Sequence, residues 1–233
     1  MTVLNNLMMG ASGAGSSCPA LEGTLWTWGD GNQYLGHGNL TSYSSPQQVG
    51  SLSDWTNNVR PFGHSATNHI IKADGTLWGW GENSFGQVGK GEGTHTTHKY
   101  ESPVQIGSGT DWANVSDGGL HAAAVKTDGT LWTWGGNFYG GLGHGDTTHR
   151  TAPTQVGSLT TWASVSVPLA YYTMMLKTDG TLWAMGVNNK GNLGDGTTTH
   201  RYSPVQVGSA TNWIAFAPAA STTNGHVMAL ASV

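Results

Sequence analysis

Short apolar runs separated by glycine-rich turns are the dominant pattern along this chain of 233 residues. In one stretch, the run His121–Lys126 is followed by the turn Thr127-Asp128-Gly129 and by Thr130–Gly135, which is rich in the aromatic and β-branched residues that strands favour. Asp-Gly tolerates the positive φ of a tight hairpin turn, so the two runs are predicted to pair. Pro153 is predicted to introduce a short outer strand, and Trp162–Ser166 is predicted to open the next sheet.

The same pattern occurs four times. Gly-Thr-Leu-Trp begins at Gly23, Gly75, Gly129 and Gly180, and each copy is followed by a Pro-x-Gln segment and a further tryptophan. A period near fifty residues, built from strand-sized apolar runs, indicates a repeat architecture whose units stack. Each unit is long enough for a four-stranded sheet, and radial packing buries both faces of such sheets. The predicted fold is therefore all-β: a β-propeller of four blades over residues 21–233, preceded by a leader of residues 1–20.

The two ends of the repeat region contain complementary halves of one unit. Residues 225–233 match residues 120–128, which lead into the Asp-Gly turn, whereas residues 22–29 match the strand that follows this turn. The C-terminal strand is therefore predicted to pair with the N-terminal strands and to close the ring. The same pattern leaves a second arrangement open, in which two chains form a ring of eight blades.

Composition narrows the classes of partner. Charged residues make up 9% of the chain, against about 25% in ordinary globular proteins. The net charge of −4, with nine Lys and Arg, argues against nucleic-acid binding, and the absence of an apolar run of about 18 residues argues against membrane insertion. Cys18 is the only cysteine, which excludes an intrachain disulfide. The 11 tryptophans all fall on three repeat positions, which predicts that they form the cores of the blades.

No group of residues has the spacing of a catalytic site. The aspartates of the Asp-Gly pairs recur as turn residues, and the chain has no nucleophile elbow, metalloprotease helix or Ser-His-Asp grouping. The chain is therefore predicted not to be an enzyme and to use no cofactor and no metal. Loops that differ between units are the expected binding sites. Their candidate residues are Arg60, His95, His98, Tyr100, Tyr171 and Tyr172.

Recurring histidines can be interpreted either as a metal site or as parts of polar turns. His98, His149 and His200 each precede a basic residue in the loop before the proline. Ligands of one zinc lie within about 2.1 Å of it, and loops on separate blades lie too far apart, so we expect a polar turn in which each His and its basic neighbour bond backbone carbonyls. The pair His95 and His98 in the longer second loop stays open as a local alternative. His121 is interpreted as a strand-start residue bonded to backbone.

The repeated motifs resemble those of the regulator of chromosome condensation repeat family. The motifs are Trp-x-x-Val, Gly-x-x-His, Asp-Gly-x-Leu-x-x-Trp-Gly, Asn-x-x-Gly-Gln-[Leu/Val]-Gly and Pro-x-x-Val, and they cover about residues 21–233. The resemblance implies a propeller. The protein that gives the family its name is a seven-bladed nuclear exchange factor, whereas this chain has four units and no basic tail. No exchange residue of that protein is matched here.

The leader resembles the N-terminal starts of structural proteins from tailed phages, through the run Leu-Asn-Asn-Leu-Met-Met-Gly-Ala-Ser-Gly. This resemblance implies a virion surface protein on capsid or tail, outside the cell, with other virion proteins and host surface glycans or proteins as partners. Residues 1–20 would then be the anchor, burying Leu4, Leu7, Met8 and Met9. The alternative is a cellular protein-interaction scaffold or a lectin-like binding module, and a guanine-nucleotide exchange factor ranks third.

Overall fold

The computed structural model describes residues 22–56, 67–93, 99–168, 171–218 and 227–233 of the chain. Within these ranges the regular structure is β-strand, apart from one short 3-10 helix, Gly31–Gln33. The all-β prediction is confirmed. Among the described residues, no helix has the length and apolar character that crossing a membrane requires.

The strands follow one another along the chain with short connections. In chain order they are β1 (Glu22–Gly23), β2 (Trp26–Gly29), β3 (Tyr43–Gln48), β4 (Trp55–Thr56), β5 (Thr67–Ile71), β6 (Leu77–Glu82), β7 (Lys99–Gln105), β8 (Trp112–Asp117), β9 (His121–Lys126), β10 (Leu131–Gly135), β11 (Arg150–Gln155), β12 (Trp162–Ser166), β13 (Tyr172–Lys177), β14 (Leu182–Gly186), β15 (Arg201–Gln206), β16 (Trp213–Pro218) and β17 (Val227–Ala231).

These strands pair antiparallel with their neighbours along the chain, except that β1 pairs with β4. Strands β8 to β11 and β12 to β15 make two complete sheets of four. Strands β5, β6 and β7 make a sheet of three, next to which Trp55 of β4 forms an isolated bridge with Lys72. The strands β2 and β3 pair at one end of the described fold, and β16 and β17 pair at the other. The described residues thus form two blades of four strands and one of three, flanked by two half-blades.

The predicted hairpins are confirmed. Strands β9 and β10 pair with Leu131 opposite Val125, and Gly129 in the turn has a φ of 79°, which favours glycine. The carboxylate of Asp128 accepts hydrogen bonds from the amide and hydroxyl of Thr130 at 2.9 and 2.7 Å. These bonds lower the pKa of Asp128, the hydroxyl bond contributing most. Asp74 and Asp179 make the same two bonds, so the aspartates are turn residues as predicted.

The outer strand differs from its prediction. It spans Arg150–Gln155 and therefore contains Pro153, which was predicted to precede it. Proline is accommodated because β11 is the last strand of its sheet, so that an outward-facing position there needs no N–H donor. Alternating polar residues made the start of this strand hard to distinguish from the preceding loop.

Most tryptophans pack between or within blades as predicted. Trp134 is fully buried, and its indole N–H donates to the backbone carbonyl of Gln87 in the preceding unit at 2.9 Å. Trp80 makes the equivalent bond to the carbonyl of Tyr34 at 2.8 Å. Met185 takes this position in the last complete blade and is also fully buried. These contacts link each blade to the one before it.

Two tryptophans depart from the core prediction. Trp26 and Trp28 of β2 are 48% and 58% exposed, although their repeat positions are buried or half-buried in the inner blades. The reason is that β2 pairs only with β3 among the described residues, so no second strand covers them. The predicted pairing of the C-terminal strand with the N-terminal strands is likewise not formed within the described fold. Closure of the ring and a count of four blades therefore stay predictions.

Candidate functional site

The loops that follow β10 and β14 are each held by a buried asparagine. Asn137 is fully buried, and its side-chain amide donates to the carbonyls of Asp146 and Thr148 at 2.9 and 3.2 Å. Its side-chain oxygen accepts the amide N–H of Leu142 at 3.1 Å. Its backbone N–H donates to Nδ1 of His149 at 2.8 Å. One side chain therefore fixes both arms of the loop.

Asn188 repeats this arrangement in the last complete blade. Its amide donates to the carbonyls of Thr197 and Thr199, and its backbone N–H donates to Nδ1 of His200 at 2.9 Å. The prediction that these histidines and their basic neighbours bond backbone carbonyls is thus only partly right. His149 and His200 accept amide protons, while the asparagines satisfy most of the carbonyls and Arg150 bonds that of Thr148.

Ion pairs complete both loops. Arg150 lies 2.8 Å from Asp146, and Arg201 lies 2.6 Å from Asp195. Burial opposes ionisation of Asp195, but hydrogen bonds from Arg201, Thr197 and Asn188 lower its pKa to about 2. The pKa of Asp146 is also lowered, first by the hydrogen bond from Arg150. The charges of the two loops are therefore largely neutralised by internal pairs, and the loops are rigid platforms.

On these platforms lies a row of aromatic side chains that crosses three units. We call this set the aromatic row: Phe85, Phe138, Tyr139, His149, Tyr171 and His200. Phe138 contacts Phe85 and His149 with centroid distances of 5.0 and 4.8 Å, and it contacts Tyr171 at 5.9 Å. Tyr139 continues the row, with Tyr171 at 5.1 Å and His200 at 5.4 Å. All these pairs are edge-to-face, the arrangement that aromatic quadrupoles favour.

The aromatic row is partly exposed to solvent: Phe138 and Tyr139 are its exposed members, and the other four side chains are half-buried. Phe138 and Tyr139 are each 40% exposed, and the neighbouring Tyr202 is 42% exposed. The residues all come from the ends of strands that meet at one end of the sheets: after β6 and β10, and before β11, β13 and β15. An exposed cluster of large aromatic rings beside arginines has the composition that is enriched at the centres of protein interfaces.

Three of the predicted binding residues, Tyr100, Tyr171 and Tyr172, are among the described residues, and one of these belongs to the aromatic row. Tyr171 belongs to the aromatic row. Tyr172 is fully buried, and burial raises its pKa to about 12. Tyr100 lies in β7, packs against the cluster around Trp80, and its hydroxyl donates to Glu92. Burial, followed by this hydrogen bond, raises the pKa of Tyr100. Tyr100 and Tyr172 thus pack and bond within the fold and are not members of the aromatic row.

The remaining predicted site residues lie outside the described residues. They are Arg60, His95 and His98 of the loops and Leu4, Leu7, Met8 and Met9 of the proposed anchor. Sequence reasoning missed Phe85, Phe138 and Tyr139. The sequence did contain a signal, because these residues occupy the two positions after the recurring asparagine. Those positions are Ser84 and Phe85 in one unit, Phe138 and Tyr139 in the next, and Asn189 and Lys190 in the last.

The remaining histidines and carboxylates of the described fold can be compared with the arrangement that a metal ion needs. Within ranges 22–56, 67–93, 99–168, 171–218 and 227–233, no three His, Cys, Asp or Glu side chains come together as a metal site. His121 is buried and bonds the hydroxyl of Thr173 at 2.9 Å, so its predicted backbone partner is wrong. Burial lowers its pKa to about 4 against an opposing effect of Asp117. A groove of about 450 Å³ between the first half-blade and the next blade is lined by His37, Leu52, Trp55 and Trp78, among others.

Radially packed antiparallel sheets, each linked to the next by a recurring tryptophan and carrying its loops at one end, define a repeat propeller. The chain belongs to the Regulator of chromosome condensation (RCC1) repeat family. The family model matches residues 22–59, 74–125, 128–167 and 179–230, and a second model of the same repeat matches residues 113–140. The resemblance seen in the sequence motifs is confirmed.

The relatives with this repeat are longer proteins than this chain. The E3 ubiquitin-protein ligase HERC2 of Homo sapiens is 30% identical over 193 residues, which are 81% of this chain and 4% of that protein. The Ultraviolet-B receptor UVR8 of Arabidopsis thaliana is 30% identical over 213 residues, which are 91% of this chain and 47% of that protein. The chain therefore spans less than half of either relative.

Solved structures share the fold at lower identity. Human WBSCR16 superposes with a TM-score of 0.71 and 23% identity, over 90% of this chain and 53% of that chain. Prp20p of Saccharomyces cerevisiae, whose binding to Gsp1p and histones is described with its structure, superposes with a TM-score of 0.69 and 18% identity, over 83% and 49%. These similarities establish the fold of the described blades.

Proposed function

We propose that this chain is a non-catalytic protein-interaction module that binds a partner protein through the aromatic row. The observation that carries the proposal is a contiguous row of rings whose exposed members, Phe138 and Tyr139, lie on the loop that Asn137 holds, with Asn188 holding the loop at the end of the row. Rigid loops lose little conformational entropy on binding, so more of the contact energy is available for affinity. A few side chains supply most of the binding energy at typical interfaces, and tryptophan, tyrosine and arginine are enriched among them.

Protein partners fit the family better than the other candidates. The yeast neighbour Prp20p is described with binding to Gsp1p and histones, and yeast RCC1 is described bound to Kap60. Those partners belong to the yeast protein, and they support the proposal because that protein shares the fold of this chain. The ligase activity in the name of HERC2 belongs to a protein of which this chain matches only 4%, so it is not transferred here.

The virion role inferred from the leader receives no support from these similarities. It depends on residues 1–20, which lie outside the described residues. Attachment to capsid or tail, binding of host glycans and a location on an extracellular particle stay predictions. The cellular interaction module, which was the alternative interpretation, is the function that we adopt.

A peptide-display experiment tests the proposal and does not require an identified partner. A random-peptide library is panned against the immobilised chain, and the affinity of selected peptides is measured for the unmodified chain and for a Phe138→Ser, Tyr139→Ser double variant. We expect the double variant to weaken binding at least about tenfold, since hot-spot truncations commonly remove more than 1.4 kcal/mol each. Leu159→Ser is the matched control, because Leu159 is 47% exposed in the loop between β11 and β12, at the opposite end of the sheets. Equal affinity of the double variant would refute the assignment.

A further inference from the structure

The two half-blades present unpaired strand edges that together amount to one blade. Every complete sheet of the described fold has four strands in chain order, as in β8 to β11. Strands β16 and β17 correspond to the first two strands of such a sheet, and β2 and β3 correspond to the last two. Within the described residues, β17 pairs only with β16, and β2 pairs only with β3. A strand edge of this kind readily accepts another strand.

The two edges are in register with the pairing inside the complete blades. Trp213 lies opposite Ala231 just as Trp112 lies opposite Lys126, which aligns Met228 with Ala123 and Leu230 with Val125. In the complete blade, Ala123 pairs with Thr133, and Thr133 has the repeat position of Thr27. The equivalent partner of Met228 is therefore Thr27, and that of Leu230 is Leu25.

The same edges expose apolar side chains that are buried elsewhere. Met228 and Leu230 are 65% and 50% exposed, whereas their counterparts Ala123 and Val125 are 0% and 2% exposed. Trp28 is 58% exposed, whereas its counterpart Trp134 is fully buried. Exposed apolar patches mark an interaction surface. The patches on β17 and on β2 correspond to two strands that pair with each other inside a complete blade.

The contacts between neighbouring blades indicate which strand would pack against the exposed side of the last complete blade. Gly91 and Gly145 each donate a backbone hydrogen bond to the outer strand of the following blade, at Thr151 and Tyr202 respectively. Gly196 is the equivalent glycine of the last complete blade, and a Cβ placed on it would meet no described atom within 4 Å. The outer strand that would follow has the sequence of β3, where Ser44 corresponds to Thr151 and Tyr202.

The packing of tryptophans between blades also indicates that the half-blade of β2 and β3 would fit against the last complete blade. A Cβ on Gly89 would lie 2.8 Å from the indole nitrogen of Trp134 in the next unit, so the glycine allows this close approach. Gly194 has the repeat position of Gly89, but its near neighbour is Val207 of its own unit. In the complete pattern, the residue that would pack on Gly194 is Trp28.

We propose that a second copy of this chain pairs with both strand edges, so that two copies close one ring head to tail. In each junction, β17 of one copy pairs with β2 of the other, and two composite blades complete the ring. The chain superposes on 47 to 53% of each propeller neighbour, so its blades follow the course of about half of such a propeller. Such an arc holds its own edges apart, whereas a head-to-tail contact that closes after two copies satisfies both edges. The proposal does not depend on the aromatic row.

Native mass spectrometry of the full chain is the first test. We expect a species of twice the 24.4 kDa chain mass. Leu230→Lys places a charge in the predicted junction and should raise the dissociation constant at least about tenfold. Ile214→Lys is the control, because Ile214 is 46% exposed and its counterpart Ala113 is exposed inside a complete blade. A single-chain mass for the unmodified protein, or a ladder of larger masses, would overturn the proposal.

Cross-linking separates a second copy from closure by the chain's own edges. Thr27→Cys and Met228→Cys are made in separate chains that both carry Cys18→Ser, and the two chains are co-expressed and treated with a short bis-maleimide. We expect a covalent pair of chains, and none when Met228→Cys is replaced by Ile214→Cys. The double variant in one chain reports the competing arrangement: a cross-link within a single chain, with no covalent pair in the mixture, would show self-closure and overturn the proposal. Equal cross-linking by the Ile214→Cys control would also overturn it.

Discussion

At the scale of single residues, buried polar groups determine the shape of the loops. Asn137 and Asn188 each satisfy groups from both arms of a loop, and backbone amides pair with His149 and His200. The sequence showed that these residues recur, but it did not show which atom bonds which. A histidine can accept or donate, so its role depends on a neighbour that folding brings close. His149 and His200 each accept a backbone amide proton within their own loop, whereas the Asp-Gly turn residues were predictable because their partner lies two residues away.

His121 gives the fold a specific pH dependence. Burial lowers its pKa from the usual 6.5 to about 4, so the folded chain keeps it neutral while the unfolded chain binds a proton as pH falls through about 6.5. Stability from this residue is therefore present above about pH 6.5 and decreases towards pH 4. Between about pH 7 and pH 4.5, its share of the decrease in unfolding free energy is roughly 2 kcal/mol.

Urea unfolding of the chain and of His121→Gln at both pH values measures this share. Glutamine retains a hydrogen-bonding group near Thr173 but does not titrate. We expect the variant to lose roughly 2 kcal/mol less than the unmodified chain over this interval. Parallel losses in the two proteins would contradict a depressed pKa at His121.

At the scale of elements, repeat position predicts strand and turn but not burial. The hairpin β9–β10 could be predicted because alternating residues and an Asp-Gly turn act locally. The burial of a tryptophan depends on whether another blade packs on it, which is a property of the assembly. Trp28 and Trp134 have the same neighbours in sequence and opposite exposure. The aromatic row was missed for the same reason, since its members come from three units.

Trp28 and Trp134 therefore form a matched pair for mutation. Trp134→Ala creates a cavity between blades and removes the hydrogen bond to Gln87, so we expect a loss of about 3 to 5 kcal/mol in unfolding free energy. Trp28→Ala should cost less than about 1 kcal/mol when it is measured at a chain concentration below the dissociation constant of the proposed pair of copies. Urea unfolding curves of both variants provide the measurement. Similar losses would mean that Trp28 is covered within its own chain.

At the scale of the whole molecule, the blades form a quasi-one-dimensional array in which stability comes from nearest neighbours. The inner strands β9 and β13 are paired on both sides and almost fully buried, whereas β2 and β17 have one partner strand each among the described residues. Opening should therefore begin at the flanks and proceed inward. A local sequence pattern does not contain this gradient, because all units have nearly the same motifs.

Amide hydrogen exchange followed by mass spectrometry measures the gradient directly. In dilute protein we expect peptides from β9 and β13 to exchange slowest, and those from β2 and β17 to exchange faster by at least about tenfold, since fewer neighbours must be lost to open them. Raising the chain concentration should slow exchange in β2 and β17 alone, because only the flanks gain a partner strand when two copies join. Exchange in the turn at Asp128 is an internal control that should not change with concentration. Slow exchange of β2 and β17 at every concentration, equal to that of β9, would instead indicate that each chain closes its own ring.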